Sequence, residues 1–359
     1  MADLRLSFAM TPYDRILPLI NGEVKPDGIT LDYQGMPGGI SRVHYEGYKF
    51  KRYDVSESGL SPFFRLRPIG WPYRMLPVFH NRNFSYVYIL LRKSSGIRQG
   101  HPEDLKGKRI GVADYQQSRG VWVRGVLQME FGIKPEDLVW YQERGEHFSQ
   151  TGAVAEAGFP PPSTVQLNYA KADFATMYLK GELDASLGNP DISLGGRGGR
   201  AYDSGLSKVP ASGIDRGRAS FAENPDIVTL FPDPRQEAIR FFKKTGVFPP
   251  HHATIVRENI VEEHPWVATS LMEAFEESKR IAIERLRQSP PTLMVFGQHY
   301  LKELDEIFGP DPYVYGIKAN AKAIEMVQTF SVEQGLAECK LTLDEIFPRE
   351  VILREERMP

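Results

Sequence analysis

Short apolar runs alternate along this chain with longer segments of helical period. LRLSFAM (4–10) and GITLDYQ (28–34) have the length and composition of strands, and 14–21 between them reads as a helix. YDVSES (53–58) is a further strand candidate, and FSYVYILL (84–91) a longer one. KRIGVADY (108–115) leads into a helix over 119–131, which Gly132 and Pro135 stop. LVWYQE (138–143) then predicts the next strand. Strand, helix and strand at that spacing form a βαβ unit, which implies parallel pairing. Farther on, HATIVREN (252–259) predicts a strand and 265–287 a strong helix with Pro265 in its first turn. Val267, Leu271, Ala274, Phe275, Ser278 and Ala282 share one face of it, and Glu276 and Arg280 are spaced to pair on another. A final helix near 318–335 ends at Gly335.

Periodicity is poorest over 145–168 and 192–225. The second stretch contains GGRGGR (195–200), which neither follows a convincing strand nor opens a helix, so it reads as a surface loop or lid rather than a phosphate-binding loop. At 359 residues the chain is too long for one ordinary core and suggests about two domains. Hydrophobic residues make up 41% and charged residues 25%, the balance of a globular chain. A net charge of −2 gives no basic footprint for nucleic acid, and no Lys/Arg-rich run points to a membrane surface. With Cys339 alone, neither an internal disulfide nor a cysteine-based metal site can form. The opening MADLRLSFAMTPYDR has no apolar core of signal-peptide length, and no uninterrupted apolar window could span a bilayer, so a cytoplasmic location is expected.

The stretch FPPHHATIV (248–256) sets two histidines between a Pro-Pro pair and a strand. Neighbouring side chains on a strand point to opposite faces, so His251 and His252 cannot readily grip one metal together. On residue type alone, a structural histidine at a chain crossing and a functional one both stand.

In order along the chain, YDRILPLINGEVKPDGITL (13–31), YDVSESGLSPF (53–63), LPVFHNRNF (76–84), SGIRQGHPEDLKGKRIGVADYQ (95–116), TGVFPPHHATIVRENIVEEHPW (245–266) and DPYVYGIKAN (311–320) resemble the 4,5-dihydroxyphthalate decarboxylases. The resemblance implies an α/β chain with a two-lobed type II periplasmic-binding-protein-like fold. Each lobe would be a mixed sheet flanked by helices, with two crossing strands as hinge. Residues 1–92 and 251–359 would make the first lobe and 93–250 the second, with the ligand cleft between them. FSYVYILL would carry the chain out and HHATIV bring it back.

The implied activity is non-oxidative loss of CO₂ from a hydroxylated aromatic dicarboxylate. A hydroxyl para to the departing carboxylate can push electrons into the ring, so no cofactor is expected. No metal is expected from the motifs either, and a carboxylate–histidine site assembled from distant segments stays open. The resemblance puts a histidine at His252, the candidate acid, while His251 stays structural or exposed. Arg15 and Arg82 fall in family-matching blocks and suit carboxylates, with Asp14 orienting Arg15. Glu57 and Ser61 lie at the end of YDVSES, where Glu57 could accept a phenolic proton or bind a hydroxyl. Tyr115, Gln116 and Ser118 sit ahead of a helix start and could hold a second carboxylate, although capping that helix is the ordinary role of a Ser at 118. Tyr313 and Tyr315 would wall the pocket, and Trp122 reads as core.

The family's YDR is often followed by Thr and further polar residues where Ile16-Leu17-Pro18 stand, and its outgoing strand often begins Phe-Arg-His where Phe84-Ser85-Tyr86 stand. Gly59 replaces a frequent Ser and Arg119 a small residue, so positive charge around the cleft is redistributed and a differently substituted aromatic acid becomes a candidate. The expected partner is a small aromatic carboxylate; nucleic acid and membrane are not expected, and a homo-oligomer is compatible. The main alternative is a solute-binding protein of the same fold. The pyrimidine-forming thiamin enzymes of that fold need a cysteine-rich motif absent here, and a metal hydrolase lacks HExxH, with His80, His147 and His299 scattered.

Overall fold

The computed structural model describes residues 3–36, 39–143, 162–187, 225–291 and 293–357. Their strands form two sheets. The first has the order β2-β1-β3-β11-β4, built from β1 (Leu4–Ala9), β2 (Ile29–Tyr33), β3 (Val55–Gly59), β4 (Tyr73–Phe79) and β11 (His252–Arg257). The second has the order β10-β5-β9-β6-β7-β8. It comprises β5 (Ile89–Arg92), β6 (Arg109–Val112), β7 (Val139–Gln142), β8 (Gln166–Tyr169), β9 (Ala185–Leu187) and β10 (Ile227–Thr229). Both sheets are mixed. β1 pairs in parallel with β2 and β3, while β11 runs antiparallel to β3 and β4. In the second sheet β6, β7, β8 and β9 pair in parallel, and β5 lies antiparallel to β9 and β10. The expected βαβ unit is present as β6, the helix Ser118–Phe131 and β7.

The chain leaves the first sheet after β4 and returns to it at β11. Between these points two extended segments run side by side, joined by the His80 N–H to the His252 carbonyl (2.9 Å), the His251 N–H to the Asn81 carbonyl (2.7 Å) and the Asn83 N–H to the Pro249 carbonyl (3.1 Å). This antiparallel pair is the crossing between the sheets. The run 84–91, read as one outgoing strand, divides into a 3₁₀ turn at Ser85–Tyr88 and β5, which is hydrogen-bonded into the second sheet. Packing overrides strand propensity there. Phe84 stacks on Phe248 at 4.9 Å, and Tyr86 is buried against Phe231 and Phe241 with its hydroxyl donating to Glu237.

The helix expected over 14–21 is a single turn, Leu17–Ile20, with Pro18 in its first turn. The long helix runs Trp266–Gln288 and buries Val267, Leu271, Ala274, Phe275 and Ser278 on the expected face. Its charges pair differently from expectation. Arg280 bonds Glu277 and Glu284, and Glu276 pairs with Lys279. The helix Ile317–Glu333 packs on Ser118–Phe131. Phe330 meets Trp122 edge-on at 5.6 Å, and a Cβ on Gly125 would lie 2.2 Å from the Phe330 ring. Only glycine permits that approach. GGRGGR lies outside the described residues.

Candidate functional site

All five residues of β3 are buried, among them the polar Ser56, Glu57 and Ser58. Buried polar groups cost stability unless paired, so such a strand demands partners. The antiparallel register of β3 and β11 supplies one. It sets Thr254 opposite Glu57 and His252 opposite Gly59, so His252 is the diagonal neighbour of Glu57 on the same face. His252 Nδ1 lies 2.5 Å from Glu57 Oε1. The Tyr13 hydroxyl donates to the same oxygen at 2.8 Å, and the Thr11 N–H donates to Oε2 at 3.1 Å.

Burial is the largest influence on the Glu57 carboxyl and acts to raise its pKa. The hydrogen bond and charge of His252 outweigh it and hold the group well below the usual carboxylate range. Glu57 is therefore an anion serving the imidazole. Burial, reinforced by Glu57, pushes the Tyr13 hydroxyl well up. His80 stacks on Tyr13 with rings 5.8 Å apart, and its Nε2 lies 2.6 Å from Thr254 Oγ1. Complete burial pushes its pKa down to about 3, so it stays neutral.

Arg15 joins the same network. Its Nη2 donates to the His80 carbonyl at 2.8 Å, and the guanidinium lies over the rings of Tyr13 (4.5 Å) and Tyr313 (4.0 Å). Asp14 meets it only at 3.5 Å from an exposed position, and also accepts the Arg15 backbone N–H. Arg82 is placed otherwise. Its guanidinium donates to the Phe248 and Val314 carbonyls and to Asn320 Oδ1, tying the crossing to the segment before Ile317–Glu333. Burial pushes its pKa down to about 10. Tyr315 is buried with the Lys279 ammonium 3.9 Å from its ring centroid, and Lys279 also pairs with Asp311.

From the second sheet, Ser118 opens the helix Ser118–Phe131, whose N-cap is Gln117 with no side-chain cap. Its hydroxyl therefore does not cap that helix. Instead it accepts the Ser61 N–H at 3.1 Å, linking the starts of helices on opposite sides of the junction. A Cβ on Gly59 would lie 3.0 Å from that hydroxyl and 3.2 Å from the Tyr48 hydroxyl, so glycine at 59 keeps this contact close. Gln116 is buried with its N–H on Asp114 at 3.1 Å. Tyr115 is fully buried, with the Arg124 guanidinium 3.8 Å from its ring centroid and the Trp140 ring 5.6 Å away, a packing position. Arg119 is buried near His251, whose pKa is lowered by its own burial and then by the Arg119 charge. Trp122 is core, and its indole N–H also donates to the Pro250 carbonyl at 2.7 Å, holding the return crossing.

Several residues at this junction carry no sequence signal strong enough to single them out. His44, on the helix Ile40–Phe50, is buried with its ring 4.7 Å from that of His252, edge to face. Tyr48, one turn later, accepts the Gly59 N–H at 2.9 Å. Arg65 is buried on the helix Leu60–Leu66; burial pushes its pKa down to about 10, opposed by Asp114 from the second sheet. The spacing of His44 and Tyr48 becomes informative only once 40–50 is known to be a helix. Among the described residues, His44, Glu57 and His252 also have the donor types and proximity to hold a metal ion, their ligand atoms lying within 4.8 Å of one another.

No family model matches the chain. Among solved structures it is similar to a periplasmic sulfonate-binding protein of a sulfonate ABC transporter from Methylobacillus flagellatus. The TM-score is 0.53 at 13% identity, covering 99% of this chain and 94% of that one. That likeness places the chain in the type II periplasmic-binding-protein-like fold. In sequence it is 36% identical over 191 residues to a 4,5-dihydroxyphthalate decarboxylase of Pseudomonas putida, covering 52% of this chain and 71% of the relative. It is also 31% identical over 352 residues to a 4,5-dihydroxyphthalate decarboxylase of Comamonas testosteroni, covering 97% of both chains. With that match running almost end to end, the chain belongs to the 4,5-dihydroxyphthalate decarboxylase family.

Proposed function

We propose that this chain removes CO₂ from a hydroxylated aromatic carboxylate of the 4,5-dihydroxyphthalate kind, non-oxidatively. The observation that carries this reading is the 2.5 Å contact between His252 and the buried Glu57 anion, at the crossing where Arg15 also lies. Arg15 anchors a substrate carboxylate, its plane fixed by Tyr13, Tyr313 and the His80 carbonyl. The phenolate para to the leaving group donates an electron pair into the ring. His252 delivers a proton to the carbon bearing the carboxylate, giving a dienone with a tetrahedral carbon. The carbon–carboxylate bond then breaks, its electron pair restores the aromatic ring, and CO₂ departs. Glu57 holds the imidazole in place and stabilises its protonated form. Applied to 4,5-dihydroxyphthalate, the product is 3,4-dihydroxybenzoate.

Purified protein incubated with 4,5-dihydroxyphthalate and related hydroxylated aromatic acids should release CO₂ with a change in ring absorbance. His252→Gln should abolish that release while the acid still raises the melting temperature. Binding without turnover across the panel would favour a solute-binding protein instead.

A further inference from the structure

We propose that His44, Glu57 and His252 form a binding site for a divalent transition-metal ion of the zinc class, and that this ion and the acid pair exclude one another. The three side chains come from the helix Ile40–Phe50, β3 and β11, and their ligand atoms lie within 4.8 Å of one another. Two imidazoles and one carboxylate are the donor set of zinc sites that keep an open position, and imidazole nitrogen selects zinc, copper or nickel over magnesium or calcium.

The groups around these donors restrict where they can sit. Glu57 is held by the Thr11 N–H and the Tyr13 hydroxyl. The His44 ring stacks on Tyr48 at 5.7 Å, and Tyr48 is fixed through the Gly59 N–H. His252 is pinned through its carbonyl to the His80 N–H.

Distance decides the relation to the acid pair. Zinc sits ~2.0–2.1 Å from nitrogen and oxygen donors, so two ligand atoms on one ion stand roughly 3 Å apart or more. His252 Nδ1 and Glu57 Oε1 stand at 2.5 Å, which admits a proton between them and no metal. Binding must open that pair by roughly half an ångström or more and bring donors that stand up to 4.8 Å apart to within roughly 3–3.5 Å of one another, by side-chain rotation. The proton shared by the pair leaves as the ion enters. The metal-bound form therefore lacks the acid, and zinc should act as a reversible inhibitor. The inhibition, though not the binding, rests on the function proposed above.

Chelator-treated, full-length protein titrated with Co²⁺ tests the site directly. The expected result is visible ligand-field absorption saturating at one ion per chain, weakened at least roughly tenfold in affinity by His44→Ala and by Glu57→Gln. Added Zn²⁺ should stop CO₂ release, and chelator should restore it. Absence of absorption in the wild-type protein would overturn the proposal, as would absorption that both folded variants retain unchanged. Loss of turnover on chelation with recovery on adding metal would overturn the exclusion. If the chelated protein released no CO₂ from any aromatic acid yet still bound cobalt through His44 and Glu57, the site would stand and the decarboxylation reading would fall.

Discussion

Replacing Glu57 with Gln changes almost no volume and isolates one physical effect. The carboxylate now accepts from three donors: His252 Nδ1 and the Tyr13 hydroxyl on one oxygen, and the Thr11 N–H on the other. A carboxamide keeps only one acceptor oxygen. If that oxygen stays on the Thr11 N–H, the new NH₂ faces Tyr13 and His252. The phenol can turn and accept, but a protonated imidazole cannot. Flipping the amide restores the contact to His252 and sets NH₂ against the Thr11 N–H instead. Either orientation leaves a buried donor unmatched, at a cost of ~1–3 kcal/mol in stability. The lost bond is made to a charged carboxylate and is worth ~1.5–3 kcal/mol. If that support is needed in full at the transition state, kcat falls roughly 10- to 150-fold. KM should stay within about threefold, because in the proposed mechanism the substrate carboxylate is held by the Arg15 guanidinium and not by Glu57. Steady-state CO₂ release, with circular dichroism to verify folding, measures both parameters. A folded Glu57→Gln protein with wild-type kcat would refute the pairing as a catalytic device.

Arg15→Met should raise KM for an aromatic dicarboxylate by roughly tenfold or more, the worth of ~1.5–3 kcal/mol in a charge-assisted hydrogen bond, with a smaller change in kcat; steady-state kinetics separates the two. Gly125→Ala should cost ~1–3 kcal/mol, because its Cβ would sit 2.2 Å from a Phe330 ring already held by Trp122; an unchanged urea midpoint would contradict that packing. Asp184 accepts the Arg109 backbone N–H at 3.0 Å and its side chain at 2.8 and 2.9 Å. Burial acts to raise its pKa, but the Arg109 bonds and the Arg109 and Arg92 charges prevail and lower it. A lowered folded-state pKa gives stability that is present above the unfolded value of about 3.9 and lost as pH falls below it. Asp184→Asn should therefore destabilise by ~1.5–3 kcal/mol at neutral pH, and the gap to wild type should shrink in urea titrations run below about pH 4.

The strands legible from the chain were those whose apolar runs end in turn residues, such as β1, β2 and β7. β4 escaped because Pro77 interrupts Tyr73–Phe79, and a proline argues against a strand. It is tolerated because β4 is the edge of its sheet. The 84–91 run misled for the opposite reason. Its aromatic residues are good strand formers, but they fill the space beside the crossing and bend the chain into a 3₁₀ turn. Glu57, His252 and Arg15 were visible as candidates. The contact between Glu57 and His252 was not, because it is created by the antiparallel register of two strands about 195 residues apart in sequence. His44 stayed hidden because nothing in SRVHYEGYKF announces which face of its helix turns inward.

The most direct test of the account is to run the reaction in D₂O with 4,5-dihydroxyphthalate and inspect the product by NMR. The account predicts 3,4-dihydroxybenzoate carrying one deuterium at the carbon that lost its carboxylate, one CO₂ per product, and no such product from His252→Gln. Recovery of undeuterated starting material, bound but unchanged by the wild-type protein, would contradict it.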